Sequence, residues 1–152
     1  MSIYLPEIDS NTLDFPPIEN ALSDPDGLLA MGGDLSTERI ISAYSKGIFP
    51  WFTPEQPILW WSPSNRAVIY PQEFSPAKSL RKCFRKQNWM VSINRATNEV
   101  IELCANTRAE DETWITNEMV LAYQSLARQG HCHSIEVWLD GQLVGGLYGL
   151  LI

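Results

Sequence analysis

Polar and apolar positions recur along this chain with two different periods, and the switches between them mark its elements. Residues 1–20 show neither period and read as an extended arm or loop. Ser23-Asp24-Pro25-Asp26-Gly27 has turn composition, and Met31-Gly32-Gly33-Asp34 is a second turn whose paired glycines suit positive φ or close backbone approach. Ser36 caps a short helix from Thr37 to about Ser45, with Leu35 as a hydrophobic staple and Gly47 closing it. Arg66 to Tyr70 reads as a short strand. Ser75-Pro76 then opens a helix over about 76–87, serine as cap and proline in the first turn. Trp89 to Ile93 alternates like a strand, and Asn94 caps a helix whose Val100, Ile101, Cys104 and Ala105 follow helical spacing. Thr116 caps another helix over about 117–128, ended by Gly130. His133 to Leu139 alternates again, Asp140-Gly141 is a strong hairpin signal, and Leu143 to Ile152 is the returning strand. Helices that precede a hairpin indicate an α+β class with a largely antiparallel sheet.

One stretch fits neither period. Gly47 to Pro63 holds three of the six tryptophans and four of the ten prolines, with Glu55 as its only charge. Proline at 50, 54, 57 and 63 excludes a long helix or a central strand. Rigid, aromatic and irregular, it suits the wall of a preformed apolar pocket.

Composition narrows the class. At 152 residues, 45% hydrophobic and 19% charged, the chain reads as one globular domain with room for a small N-terminal appendage. No apolar run approaches the roughly 18 residues of a membrane span, so no membrane partner is expected. The first residues lack the basic start and apolar run of a secretory signal. Cys83, Cys104 and Cys132 are odd in number and widely spaced, which suits reduced thiols and a cytoplasmic location. The chain ends in the apolar LYGLLI, from which the natural domain is expected to continue beyond Ile152.

Net charge is −7, unevenly spread: residues 1–74 carry ten acids and three bases, residues 75–152 eight of each. Five of those later bases, Lys78, Arg81, Lys82, Arg85 and Lys86, fall within nine residues, and helical spacing sets four of them along one face opposite Leu80 and Phe84. Such a cluster is either a solvated helix face or a local anion site. His131, Cys132 and His133 alternate on a strand, but two further ligands at sensible spacing are missing, so no metal is expected. A reactive Cys132 beside histidine is the nucleophilic alternative, and core or second-row histidine the plainer one.

Five segments in order then carry a resemblance. GLLAMGGDLS (27–36), AYSKGIFPWF (43–52), ILWWSP (58–63), TWIT (113–116) and HCHSIEVW followed by LVGGLYG (131–149) resemble the leucyl/phenylalanyl-tRNA–protein transferases, over essentially residues 13–152 and about the first two thirds of a family member. The resemblance implies transfer of leucine, phenylalanine or methionine from aminoacyl-tRNA to proteins with N-terminal arginine or lysine, marking them for degradation by the N-end rule. It implies a small N-terminal α/β region (1–62, with the arm and the aromatic segment) and a GNAT-like, acyl-CoA N-acyltransferase-like domain (63–152) cut off after its central hairpin. An aminoacyl ester is already activated, so no cofactor is needed. The reaction needs an apolar side-chain pocket, oxyanion donors and a route for the amine's proton.

By the same resemblance Trp51, Trp114 and Tyr123 line the aminoacyl-adenosine site, Ser134 and Glu136 orient groups in it, and the basic cluster holds acceptor-stem phosphates. Trp60 and Trp61 are scaffold. The polar Gly-Glu-Ser and Asp-Cys-Gln segments of the family do not occur in these 152 residues, so the catalytic groups are expected beyond Ile152 and the chain alone is expected to be poorly folded or inactive. An acyl-CoA-dependent GNAT enzyme and a non-catalytic RNA-binding module are the rival readings.

Overall fold

The structure is a computed structural model and describes residues 4–107 and 113–152. Its elements are β1 (Glu7–Ile8), β2 (Leu28–Gly32), α1 (Thr37–Ser45), β3 (Phe49–Pro50), β4 (Leu59–Trp61), α2 (Lys78–Lys86), β5 (Trp89–Ile93), α3 (Thr97–Asn106), α4 (Asn117–Arg128), β6 (Cys132–Leu139) and β7 (Gln142–Leu150). The fold is mixed α+β with two sheets, ordered β1-β2-β4-β3 and β5-β6-β7.

Local signals account for several boundaries. Ser36 and Thr116 accept hydrogen bonds from the N–H groups of Arg39 and Met119, capping α1 and α4. Asp140 and Gly141 both take positive φ, the two-residue turn that matches strand twist, and so join β6 to β7.

Elsewhere long-range partners override the local signal. Leu59–Trp61 is an interior strand, hydrogen-bonded to β2 on one side and β3 on the other. The expectation that Gly47 to Pro63 contains no central strand therefore fails: Pro57 and Pro63 flank these three residues and leave their N–H groups intact. Pro50 lies on the edge strand β3, where a missing donor is tolerated. Arg66 to Tyr70 forms no strand, because no strand among the described residues pairs with it, and Val68, Ile69 and Tyr70 are exposed. α2 begins at Lys78 with Ala77 as an uncapped N-cap, and Ser75 instead accepts from Arg81 at 2.7 Å. Asn94 does not cap α3. It takes a φ of 56°, and its side-chain oxygen accepts from the Ser134 N–H on β6 at 2.8 Å.

One hydrophobic cluster runs through both halves of the chain. Ile8, Leu29, Ile40, Ile48, Phe52 and Trp60 meet Ile101, Met119, Tyr123 and Leu126 within it. Trp60 is fully buried, its ring edge-to-face with Phe15 at 4.9 Å and its indole N–H donating to the Gly32 carbonyl at 2.9 Å. The buried Arg39 guanidinium donates to the carbonyls of Asp9 and Ser10 and to Asp34, fastening the N-terminal arm to α1. Helix α3 reaches β7 because Gly146 lacks a side chain: a Cβ there would lie 2.8 Å from Val100 Cγ2. Two polar ties join α1 to α4, Tyr44 hydroxyl to Tyr123 hydroxyl at 2.6 Å and Gln129 Nε2 donating to Thr37 Oγ1 at 2.8 Å. The opposite face of the β5-β6-β7 sheet carries Ile93, Ile135 and Leu147 in register, all exposed.

Candidate functional site

Trp51 continues the extended run of β3, its N–H donating to the Leu59 carbonyl at 2.9 Å. Its ring is 48% exposed and tilts against Trp61 at 5.6 Å. The Trp61 indole N–H donates to the Trp51 carbonyl at 2.7 Å, so Trp61 fixes the backbone that presents Trp51. Trp114 is 38% exposed, while its neighbour Ile115 is buried. A cavity of about 850 Å³ is lined by Phe52, Pro57 and Ile58 of the aromatic segment and by Ala105, Thr113, Ile115 and Glu118. Phe52, which follows Trp51, and Thr113 and Ile115, which flank Trp114, thus line one cavity, while neither indole is among its lining residues.

Tyr123 lies differently. It is 4% exposed, its hydroxyl is hydrogen-bonded to Tyr44, and its ring meets Tyr148 of β7 edge-on at 5.7 Å. Burial, reinforced by the neighbouring Tyr44, pushes its hydroxyl well above the ordinary tyrosine value. Tyr44 was not singled out by sequence reasoning. Its only available signal was its place within the AYSKGIFPWF segment, and its partner lies 79 residues away.

Ser134 and Glu136 occupy the helix-side face of β6, both buried. The hydroxyls of Ser92 and Ser134 donate to the two oxygens of the Glu136 carboxylate, and the Ala96 N–H donates to Oε1 at 3.3 Å. Trp138 Nε1 donates to Ser92 Oγ at 2.8 Å, and Thr97 and Ser134 share a hydroxyl bond of 2.7 Å. Every hydrogen bond in this network runs toward the carboxylate. Burial opposes ionisation of Glu136. The donors Ser134, Ser92 and the N–H groups of Ala96 and Arg95 outweigh it and hold the carboxyl below its ordinary 4.5. The network ties β5, β6 and the start of α3 together, and it includes no bond to Trp51, Trp114 or Tyr123 among the described residues. Ser92 was missed because its partner stands 44 residues away, although strand alternation already placed it on one face of β5.

A group whose folded pKa is depressed contributes stability above its unfolded pKa and loses it as pH falls through the folded value. The advantage of the natural chain over Glu136→Gln in urea midpoint is therefore expected to be full at pH 7 and to shrink as pH drops below 4.5. A difference that does not change with pH would show the carboxyl is not held ionised.

The His-Cys-His segment carries no metal-like cluster: among the described residues no group of three His, Cys, Asp or Glu side chains converges. The Asn94 amide donates to His133 Nδ1 at 2.9 Å, its oxygen being engaged by Ser134. Burial pushes the Cys132 thiol up to about 11, which disfavours the thiolate a nucleophile requires.

The basic cluster is set apart from this packing. Lys78, Arg81, Lys82, Arg85 and Lys86 all lie on α2 and line one shallow concavity. No residue of α2 is buried, and Leu80 and Phe84 are exposed as well. Five guanidinium and ammonium groups on nine residues, open to solvent, concentrate positive potential on an otherwise acidic chain.

Known proteins match this chain in sequence over both of its halves. Residues 68–152 match the family model described as leucyl/phenylalanyl-tRNA protein transferase, and residues 33–64 match that of its N-terminal domain. The chain is 64% identical over 152 residues to the leucyl/phenylalanyl-tRNA–protein transferase of Vibrio vulnificus, covering all of this chain and 64% of the relative. It is 61% identical over 153 residues to that of Aliivibrio fischeri, again covering 100% of this chain and 64% of the relative. For Photobacterium profundum the identity is 54% over 152 residues, with the same shares covered. The chain thus spans about 64% of the length of these curated relatives. With more than half of its residues matched by the principal family model, the chain belongs to the leucyl/phenylalanyl-tRNA–protein transferase family.

Proposed function

We propose that this chain supplies the RNA-facing part of an aminoacyltransferase, which moves leucine, phenylalanine or methionine from aminoacyl-tRNA to the N-terminal arginine or lysine of acceptor proteins. The transfer serves N-end rule degradation in the cytoplasm. The observation that carries this reading is the pairing of an exposed indole platform at Trp51 with an unpacked basic helix, in a member of this family. Trp51 and Trp114 offer faces for the terminal adenosine, and α2 offers cations for the acceptor stem. Amine attack on an ester passes through a tetrahedral intermediate and uses no cofactor. Ser134 and Glu136 serve the site by holding β5, β6 and α3 in place. Tyr123 packs behind it.

The reading includes a division into an arm and small domain at 1–62 and a GNAT-like part at 63–152. Support comes from the two sheets, which draw on residues 7–61 and 89–150, and from family matches at 33–64 and 68–152. The 152-residue span is expected to bind aminoacyl-tRNA without transferring its amino acid, since the Gly-Glu-Ser and Asp-Cys-Gln segments are absent from it. A transfer assay with leucyl-tRNA and a peptide bearing N-terminal arginine tests this. Robust transfer by the span alone would sink the division of labour, and no binding at all would sink the functional reading.

Trp51 gives the sharper test. Trp51→Ala removes a half-exposed ring, so stability is expected to change little. Affinity for an amide-linked phenylalanyl-adenosine is expected to fall by about 1–3 kcal/mol, the value of one base stacked on an aromatic ring. Unchanged affinity would mean that Trp51 does not meet the adenosine.

A further inference from the structure

The aminoacyl-tRNA reading gives the adenosine to the indole platform and the stem to the basic helix, and one further cation lies next to the platform. The residues 1–74 hold only three bases. Arg39 is buried and paired with Asp34, and the Lys46 ammonium sits over Phe15 at 5.8 Å. Arg66 is exposed. Its guanidinium lies over the Phe49 ring at 5.1 Å, and one Nη2 hydrogen goes to the Gly47 carbonyl. No carboxylate pairs with it among the described residues.

The strand geometry turns these contacts into a row. Phe49 and Trp51 are two residues apart along an extended run, so their rings share a face. Trp61 is the register partner of Phe49, hence on that same face, and meets Trp51 at 5.6 Å. Arg66, Phe49, Trp61 and Trp51 therefore stand in order on one face of the β3-β4 ribbon, at the open edge of the sheet. A guanidinium held over an aromatic ring and by a backbone carbonyl is restrained beforehand and loses little entropy on binding. A cation at the end of an aromatic row matches the alternation of phosphate and base in a single-stranded nucleic acid.

We propose that Arg66 binds a backbone phosphate of the unpaired nucleotides just upstream of the terminal adenosine, with the Phe49–Trp61–Trp51 row alongside the strand. The proposal rests on the aminoacyl-tRNA reading, and it assigns the single-stranded end of the RNA a place separate from both the adenosine and the stem.

Three probes test it with the full 152-residue chain: an acceptor-stem hairpin ending in unpaired CCA, the same hairpin blunt-ended, and phosphate-free phenylalanyl-adenosine in amide linkage. Arg66→Gln is expected to weaken the CCA hairpin about five-fold at 0.1 M salt and to reduce the slope of log affinity against log salt by about 0.7, the contribution of one single-strand phosphate contact. Arg66→Lys is expected to keep the slope. The blunt hairpin and phenylalanyl-adenosine are expected to bind Arg66→Gln as they bind the natural chain. An unchanged slope overturns the proposal, as does equal weakening of all three probes, which marks Arg66 as a fastener of the loop onto β3. Failure of the CCA hairpin to outbind the blunt one overturns it as well. Unaltered phenylalanyl-adenosine affinity in Trp51→Ala is a separate failure, that of the platform reading.

Discussion

Trp60→Ala is expected to lower the unfolding free energy by about 3–5 kcal/mol, the range for deleting a large aromatic side chain from a packed core. Trp60 has no exposed surface, and its strand β4 stands between β2 and β3, so the neighbours cannot close the gap without moving a sheet. The lost edge-to-face contact with Phe15 frees the stretch before the 3-10 turn at Ile18–Asn20, and the Gly32 carbonyl loses its indole donor. Urea unfolding at neutral pH checks the value through a lower midpoint at constant slope. Trp60→Phe separates the contributions: it retains a ring but not the donor, and is expected to fall between the two. A loss below about 1 kcal/mol for Trp60→Ala would be surface-like and would contradict the burial on which the core is described.

The second large effect falls on binding and leaves folding alone. Replacing Arg81, Lys82 and Arg85 with glutamate removes three cations from α2, none of them buried. If each makes the proposed phosphate contact, the salt slope is expected to fall by about 2.7, equivalent to about 10²-fold in affinity for the acceptor-stem hairpin near 0.15 M salt. The urea midpoint is expected to stay within experimental error, because α2 contributes no side chain to the core. Filter binding across a salt series, beside one unfolding curve, reads both. Unchanged affinity makes α2 a solvated face, and a large fall in stability shows packing that its exposure does not contain.

Legibility from sequence divides by the range of the interaction that decides each element. Ser36, Thr116 and Asp140-Gly141 act on residues two or three positions away, and each does in place what its local chemistry predicts. Arg66 to Tyr70 has strand composition, but a strand is settled by a partner, and none among the described residues lies alongside. Asn94 is a good cap by composition, and Ser134, 40 residues away, claims its oxygen first. Leu28–Gly32 reads locally only as the approach to a glycine turn, because nothing nearby announces Trp60 and Trp61 as its pairing partners. The site follows the same rule. The aromatic segment and the basic cluster are contiguous in sequence and visible there. Tyr44 with Tyr123, Ser92 with Glu136 and Arg66 with Phe49 are assembled by the fold, across separations no periodicity reports.

Helix α2 has a further consequence through the helix–coil equilibrium. Nine residues are fewer than the roughly 12–15 that an isolated helix needs to persist in water, and this one receives no help from a packed face. Its five like charges repel one another along the same turns. The unloaded helix is therefore expected to tighten as salt screens that repulsion, while the RNA contact proposed for it would slacken for the same reason. Phosphates lined against it would do the work of the salt and more, so that RNA docking and helix ordering would reinforce each other. On the proposed reading, the segment that grips the nucleic acid would also be the one whose own conformation the nucleic acid completes.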